Sequence, residues 1–269
     1  MLSLIVAAAI AATPVTLEGR IAAARPGDTI TLAPGDYGLV TIRQRQFRPA
    51  LTIAAGQARL QLHLFEVAGI KLTDGQLTGS QTKGPPGYAL LVRQSADVEV
   101  LRGHYTDARQ AIIIDRSSDV TVRGAQITRM TIDGINIGNS QRVIVDGISC
   151  RDFTPLPTAH PDCVQLWSRP GLPTTTDVTV RKSIAVGDMQ GITAFNHLKR
   201  GDLGFDRVRF LDNQVEGAYP QGIALYDGRD SEVTGNVTRT RPGAKYRTSI
   251  NVVRCERCTV TRNDVGPKP

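Results

Sequence analysis

The chain has 269 residues, 41% of them hydrophobic and 21% charged, which is ample for a buried core and too apolar for a disordered chain. No run reaches the roughly 18 apolar residues that a membrane-spanning helix needs. The formal net charge is +7, and lysine occurs only at 71, 83, 182, 199, 245 and 268, so arginine supplies most of the 32 cationic side chains. The planar guanidinium matches carboxylate, sulfate and phosphate. A basic balance therefore permits an acidic polymer as partner. The scattered basic residues and the absence of a nucleic-acid-binding motif exclude nothing but favour no nucleic acid.

Residues 1–12, MLSLIVAAAIAA, form a short apolar stretch ending in small residues. Ala9-Ile10-Ala11 has the A-x-A form of a secretory cleavage site, although no Lys or Arg precedes it. The expectation is an export signal over residues 1–12, one domain over residues 13–269, and a periplasmic or secreted protein. An oxidising compartment would make disulfides or inert buried thiols of the four cysteines. Cys255 and Cys258 form the only C-x-x-C pair, and no histidine stands at zinc-finger spacing, so no metal role is expected for them. After the signal, Thr16-Leu-Glu-Gly-Arg-Ile-Ala-Ala-Ala reads as a short helix with Thr16 as N-cap.

From residue 111 onward a short strand of alternating apolar residues recurs. Its first apolar positions are Ile112, Ile135, Val164, Ile192, Ile223 and Ile250, spaced by 23, 29, 28, 31 and 27 residues. Its second apolar positions are Ile114, Ile137, Leu166, Ala194, Leu225 and Val252. Period-two alternation of this kind requires one buried face. A second strand follows each, at Val120, Val143, Val178, Val208, Val233 and Val260. A third segment brings Ile127, Ile148, Ile184, Val215, Val237 and Val265. Three short strands per repeat of irregular length, with no intervening helices, predict an all-β fold. The architecture is a single-stranded right-handed parallel β-helix, a solenoid with a short N-terminal capping helix. Asn213, Asn236 and Asn263 each fall three residues after Phe210, Val233 and Val260, as a structural amide stack at one corner would require.

The stretch Ile21–Tyr37, with RPGDTITLAPGDYG, resembles the opening of right-handed parallel β-helix proteins of the pectate-lyase-like superfamily. Residues 222–236, GIALYDGRDSEVTGN, are similar to coils of the periplasmic mannuronan epimerases and related sugar-binding β-helices. The resemblance implies action on polysaccharides, especially uronic-acid polymers, by lyases, epimerases or glycoside hydrolases; some members only bind. The epimerases carry Asp-Pro-His in a comparable coil, whereas this chain has His160-Pro161-Asp162 in the reverse order, so that motif does not carry over residue by residue.

Outward positions of the first strands form two columns, Ile113, Asn136, Gln165, Thr193, Ala224, Asn251 and Asp115, Gly138, Trp167, Phe195, Tyr226, Val253. Stacked about 4.8 Å apart, they would follow an extended sugar chain with amides for hydroxyls and rings for pyranose faces. A third column, Gln110, Asp133, Asp162, Gln190, Gln221 and Thr248, lines the strand entry. Offsets from first to second strand of 8, 8, 14, 16, 10 and 10 residues place long turns at 168–176 and 196–205 on adjacent coils. The insertion 151–161 leads into the first of them. Of the four histidines, His63 and His104 lie in N-terminal coils, whereas His160 and His197 border these turns.

The expected reaction is β-elimination from an acidic polysaccharide by an exported monomer, with no nucleic-acid or membrane partner. His160, with Asp162 or His197, would supply the base and Tyr226 the proton. Arg229, Lys199 and Arg200 would neutralise the uronate carboxylate. Asn136, Gln165, Trp167, Gln190, Gln221, Asp227 and Asn251 would bind the chain. A rival hydrolase would use carboxylates such as Asp162 and Asp227, although paired-aspartate motifs are missing. No cofactor is implied. A calcium ion would need several convergent oxygens, for which Asp133 and Asp162 are the candidates.

Overall fold

A computed structural model describes residues 9–196 and 204–267. The chain winds through three parallel sheets that share one core. The first sheet stacks Tyr88–Arg93, Gln110–Asp115, Ile135–Gly138, Asp162–Trp167, Gln190–Ala194, Gln221–Tyr226 and Ser249–Val253. Its register pairs Ile112 with Ile135, Ile135 with Val164, Val164 with Ile192, Ile192 with Ile223 and Ile223 with Ile250. Both apolar columns read from the sequence therefore face inward, and every member before Ile250 and Val252 is buried.

The second sheet aligns Val120 with Val143 and Val143 with Val178. Val233 pairs with Phe210 rather than Val208, and Val260 pairs with Val233. The 10-residue offsets of the last two coils thus counted to the second inward position instead of the first. The third sheet differs more. Ile127 pairs with Cys150, Cys150 with Ala185, Ala185 with Val215, Val215 with Thr238 and Thr238 with Val265. Ile148, Ile184 and Val237 lie one or two positions off this column. The inward column includes a half-cystine, an alanine and a threonine, so apolarity alone picked the wrong neighbour.

At the N-terminal end, Leu17–Ala23 form a helix whose Leu17 and Ile21 are buried over the first coil. It plugs a core that would otherwise meet water. Thr16 precedes this helix but does not cap it: its hydroxyl oxygen accepts the Thr13 N–H at 2.9 Å. The last carbonyls are met instead by Arg45, which donates to Ala22 and Ala24. Ala9–Ala12, the end of the stretch read as an export signal, form a strand paired with Thr29–Leu32. Residues 1–8 lie outside the described residues. No described helix is long and apolar enough to cross a membrane.

Polar ladders tie the corners. Asn213 donates through its side-chain amide to Asn236 Oδ1 at 2.9 Å, and Asn236 donates likewise to Asn263 at 3.0 Å. A serine ladder precedes it, with Ser117 Oγ accepting from the Ser95 N–H and Ser140 Oγ accepting from the Ser117 N–H. Two residues beyond the serine ladder, at the start of the second sheet, a column stacks Asp119, Arg142, Asp177, Arg207, Asp230 and Arg257, all in the left-handed region with φ between 50° and 55°. In this column Arg142 pairs with Asp119, Arg207 with Asp177 and Arg257 with Asp230. The guanidinium of the next coil holds each of these carboxyls below its ordinary range. Much of the arginine excess, read from sequence as latitude for an acidic partner, thus neutralises aspartates one coil away. Each such exposed pair adds little by itself, because water screens it; their number and register are what count.

Candidate functional site

The outward face of the first sheet carries a groove. Across the six strands from Tyr88–Arg93 to Gln221–Tyr226 it runs about 24 Å, from the ~4.8 Å spacing of parallel strands. The central column pairs in register as the spacing implied: Ile113 with Asn136, Asn136 with Gln165, Gln165 with Thr193, Thr193 with Ala224 and Ala224 with Asn251. Ile113, Asn136, Thr193 and Ala224 are nevertheless buried, because longer side chains on either side close over them. They make a floor, not a row of exposed contacts.

One cavity of about 370 Å³ is lined by His160, Asp162, Gln165, Gln190, Thr193, Phe195, Gln221, Ala224 and Tyr226. His160 reaches it from the insertion 151–161, whose flanks are joined by a disulfide between Cys150 and Cys163, both fully buried. The insertion is therefore fixed at both ends, and the exposed His160 ring packs edge-on against Tyr219 at 5.6 Å between centroids. Opposite, Tyr226 meets Phe195 edge-on at 5.2 Å. Asn251 donates to Gln221 Oε1 at 2.7 Å, and Gln221 Nε2 donates to the Tyr226 hydroxyl oxygen at 3.0 Å. This directed chain occupies the phenol as acceptor and leaves its proton free to donate into the cavity.

Beneath lies a pair of buried carboxyls on adjacent coils. Asp133 accepts from the Asp162 N–H at 2.9 Å, from Asn136 Nδ2 at 2.8 Å and from Gln110 Nε2 at 3.1 Å. Asp162 accepts from Thr193 Oγ1 at 2.8 Å and from Gln165 Nε2 at 3.3 Å. Burial pushes both carboxyls above the ordinary carboxylate range, and the charge of Asp133 adds to the rise at Asp162. Asp133 has the richer donor set, so Asp162 is the member that keeps its proton. Folding thus favours protonated Asp162: its contribution to stability is full below the ordinary carboxylate value and declines as pH rises through the raised one. Thermal denaturation across pH is expected to show Asp162→Asn losing that decline, with a higher melting temperature than wild type once the pH exceeds the raised value. Identical pH profiles would contradict it.

The other half of the groove, about 270 Å³, is lined by Tyr88, Arg93, Gln110, Ile113, Asp115, Asp133, Asn136, Gln165, Trp167 and Arg169. Trp167 is not the open sugar platform that its column suggested. A side chain at Gly138 would come within 2.5 Å of the indole, so the ring lies flat over that glycine. Its Nε1 donates to Asn136 Oδ1 at 3.1 Å, and Arg169 covers it, 4.1 Å from the ring centroid. Arg169 was not singled out from sequence. It follows Trp167 by two residues, at the start of a long turn, and that position was its only signal.

The remaining site residues divide. Gln165, Gln190 and Gln221 line the groove, and Asn251 joins it through Gln221. Arg229 does not clamp anything there: it begins the second sheet, pairs with Asp206 and is held in its charged form by that carboxylate. Asp227 occupies a left-handed corner, φ 56°, and is bound by Arg254, which removes it as a free hydrolytic carboxylate. His197, Lys199 and Arg200 lie outside the described residues. Among the described residues no group of three or more His, Cys, Asp or Glu side chains is placed to hold a metal ion. Asp133 and Asp162 instead accept hydrogen bonds from protein donors. Cys255 and Cys258 form a second disulfide.

Comparison with known proteins agrees with this architecture. The chain is similar in structure to pectate lyase Pel9A, with 12% identity and a TM-score of 0.53 over 98% of this chain and 80% of that one. It is similar to the Dettilon tailspike protein gp208, with 12% identity and a TM-score of 0.62 over 93% of this chain and 57% of that one. A polygalacturonase from Erwinia carotovora matches with 11% identity and a TM-score of 0.50, over 97% of this chain and 80% of that one. At such identities the likeness is one of fold. No curated protein matches the chain by sequence. Residues 68–238 match the family described as the right handed beta helix region, and the chain belongs to that right-handed β-helix family.

Proposed function

We propose that the chain is an exported enzyme that binds an acidic polysaccharide along the first sheet and cleaves it by β-elimination. The observation that carries this reading is the convergence of His160 and Tyr226, from separate coils, on one cavity lined by glutamine side chains. His160 takes the proton alpha to the uronate carboxylate, the role of a positioned general base. The electron pair forms the ring double bond, the bond to the leaving glycosidic oxygen breaks, and Tyr226 returns a proton to that oxygen. On this reading the cavity-lining amides of Gln190 and Gln165 donate to the charge that develops.

A second reading is favoured by one specific feature, the proton kept on Asp162. A carboxyl held protonated is what an acid-catalysed glycoside hydrolase needs. Incubation with a panel of uronates, sulfated glycans and neutral glycans separates the two. Elimination yields an ultraviolet-absorbing unsaturated product together with new reducing ends. Hydrolysis yields reducing ends without absorbance. No cleavage of any acidic glycan would leave a binding protein and end the enzymatic reading.

A further inference from the structure

We infer that Arg169 is the charge-reading residue of the groove, and that the half lined by Arg93, Trp167 and Arg169 receives an anionic substituent of a sugar outside the reaction centre. The inference rests on the proposed binding of a polysaccharide along the first sheet and adds to it where the charge is read and by what.

Three observations build the subsite. First, the guanidinium is held in place rather than free to sweep. Its plane rests on the Trp167 indole at 4.1 Å, and that ring is fixed by Gly138 below and by the hydrogen bond to Asn136. The backbone of Arg169 is tied as well, donating from its N–H to Asn139 Oδ1 at 3.3 Å. Second, its charge is left over. Asp115 is buried and already takes a hydrogen bond from Arg93 Nε at 2.8 Å, with Arg116 Nε at 3.4 Å. Arg169 approaches the other oxygen only to 3.8 Å, beyond hydrogen-bond reach, so three guanidiniums surround one carboxylate. Third, two arginines that follow the Tyr226 strand are engaged elsewhere: Arg254 pairs with Asp227 and Arg229 with Asp206.

Asp133 also lines this half, but its oxygens are filled by Asn136, Gln110 and the Asp162 N–H; Arg93 donates to Asp115, which leaves Arg169 as the lining guanidinium without a hydrogen bond to a carboxylate. A fixed, half-exposed fork backed by an aromatic ring suits a carboxylate or a sulfate ester, both of which accept two parallel N–H bonds. The subsite lies toward the N-terminal coils from the His160–Tyr226 cavity, and Gln165 borders both. The sugar that it reads is therefore not the one that reacts.

Titration calorimetry with an oligouronate, its methyl ester and a sulfated oligosaccharide of equal length tests this on the full chain. Wild type is expected to prefer a charged ligand over the ester, with the uronate and sulfate arms identifying the anion. Arg169→Gln is expected to weaken binding of that charged ligand about tenfold or more while leaving binding of the ester within about twofold. Arg169→Lys, a point charge without the stacked fork, should fall between. Equal affinity of wild type and Arg169→Gln for the charged ligand would overturn the assignment and leave the groove reading standing. Wild type that binds the ester as tightly as the acid would overturn charge reading itself. Wild type that binds no glycan would overturn both.

Discussion

Tyr226→Phe and His160→Ala are each expected to lower turnover of a cleaved acidic glycan by about 10²–10⁴-fold, the range for loss of a positioned acid or base. Both side chains are on the outward face, where neither supports the core, so circular dichroism and melting temperature should stay close to wild type. Tyr226→Phe keeps the ring that meets Phe195 and removes only the hydroxyl that Gln221 orients. The phenylalanine therefore isolates the proton from the packing. If steady-state assays found Tyr226→Phe fully active, the phenol would be a binding surface and the proton would come from elsewhere.

The largest stability effect is expected at Asn236, which touches no part of the groove. Its Nδ2 donates to Phe210 O at 2.8 Å and to Asn263, and its Oδ1 accepts from both the backbone and the side chain of Asn213. Asn236→Ala leaves the Phe210 carbonyl and the Asn213 donors buried without partners. Each orphaned group costs about 1–3 kcal/mol, so a loss of about 3 kcal/mol or more is expected in denaturant unfolding. Asn263→Ala removes the end of the same ladder, where the amide is half-exposed and water can replace it; about 1 kcal/mol is expected there. Equal losses at the two positions would mean that the amides act as independent turns and not as a ladder.

These two expectations mark what the sequence could and could not reveal. The columns Ile112–Ile250 and Ile114–Val252 were readable because period-two alternation is imposed by burial on one face. The amide stack was readable because three asparagines keep a fixed offset from apolar neighbours. The third sheet blurred because its inward column contains Cys150, Ala185 and Thr238, which a search for large apolar residues passes over. The Arg–Asp corner was invisible for a different reason. Its partners lie on successive coils of unequal length, and nothing local in a left-handed corner residue states which charge stands one coil away.

The site shows the same division. Asp162, Gln165, Gln190, Gln221 and Tyr226 share a cavity because they occupy entry, middle and exit positions of adjacent strands, which register alone determines; His160 joins them from the insertion 151–161. Arg229 and Asp227 lie outside the cavity lining because the chain turns a corner at Asp227, where Arg254 binds it, and carries Arg229 onto the second sheet, where it pairs with Asp206. Trp167 belongs to the right column, yet the missing side chain at Gly138 lets its ring lie down on the coil before it. Local sequence places a residue on a face; where its long side chain comes to rest depends on the coil beneath.

The most direct test is a crystal structure of the His160→Ala protein with a bound oligouronate. A sugar chain lying parallel to the solenoid axis over Asn136, Gln165 and Thr193, with a glycosidic oxygen within hydrogen-bond reach of the Tyr226 hydroxyl, is the predicted result. A ligand held on the second or third sheet, with this face empty, would contradict the account.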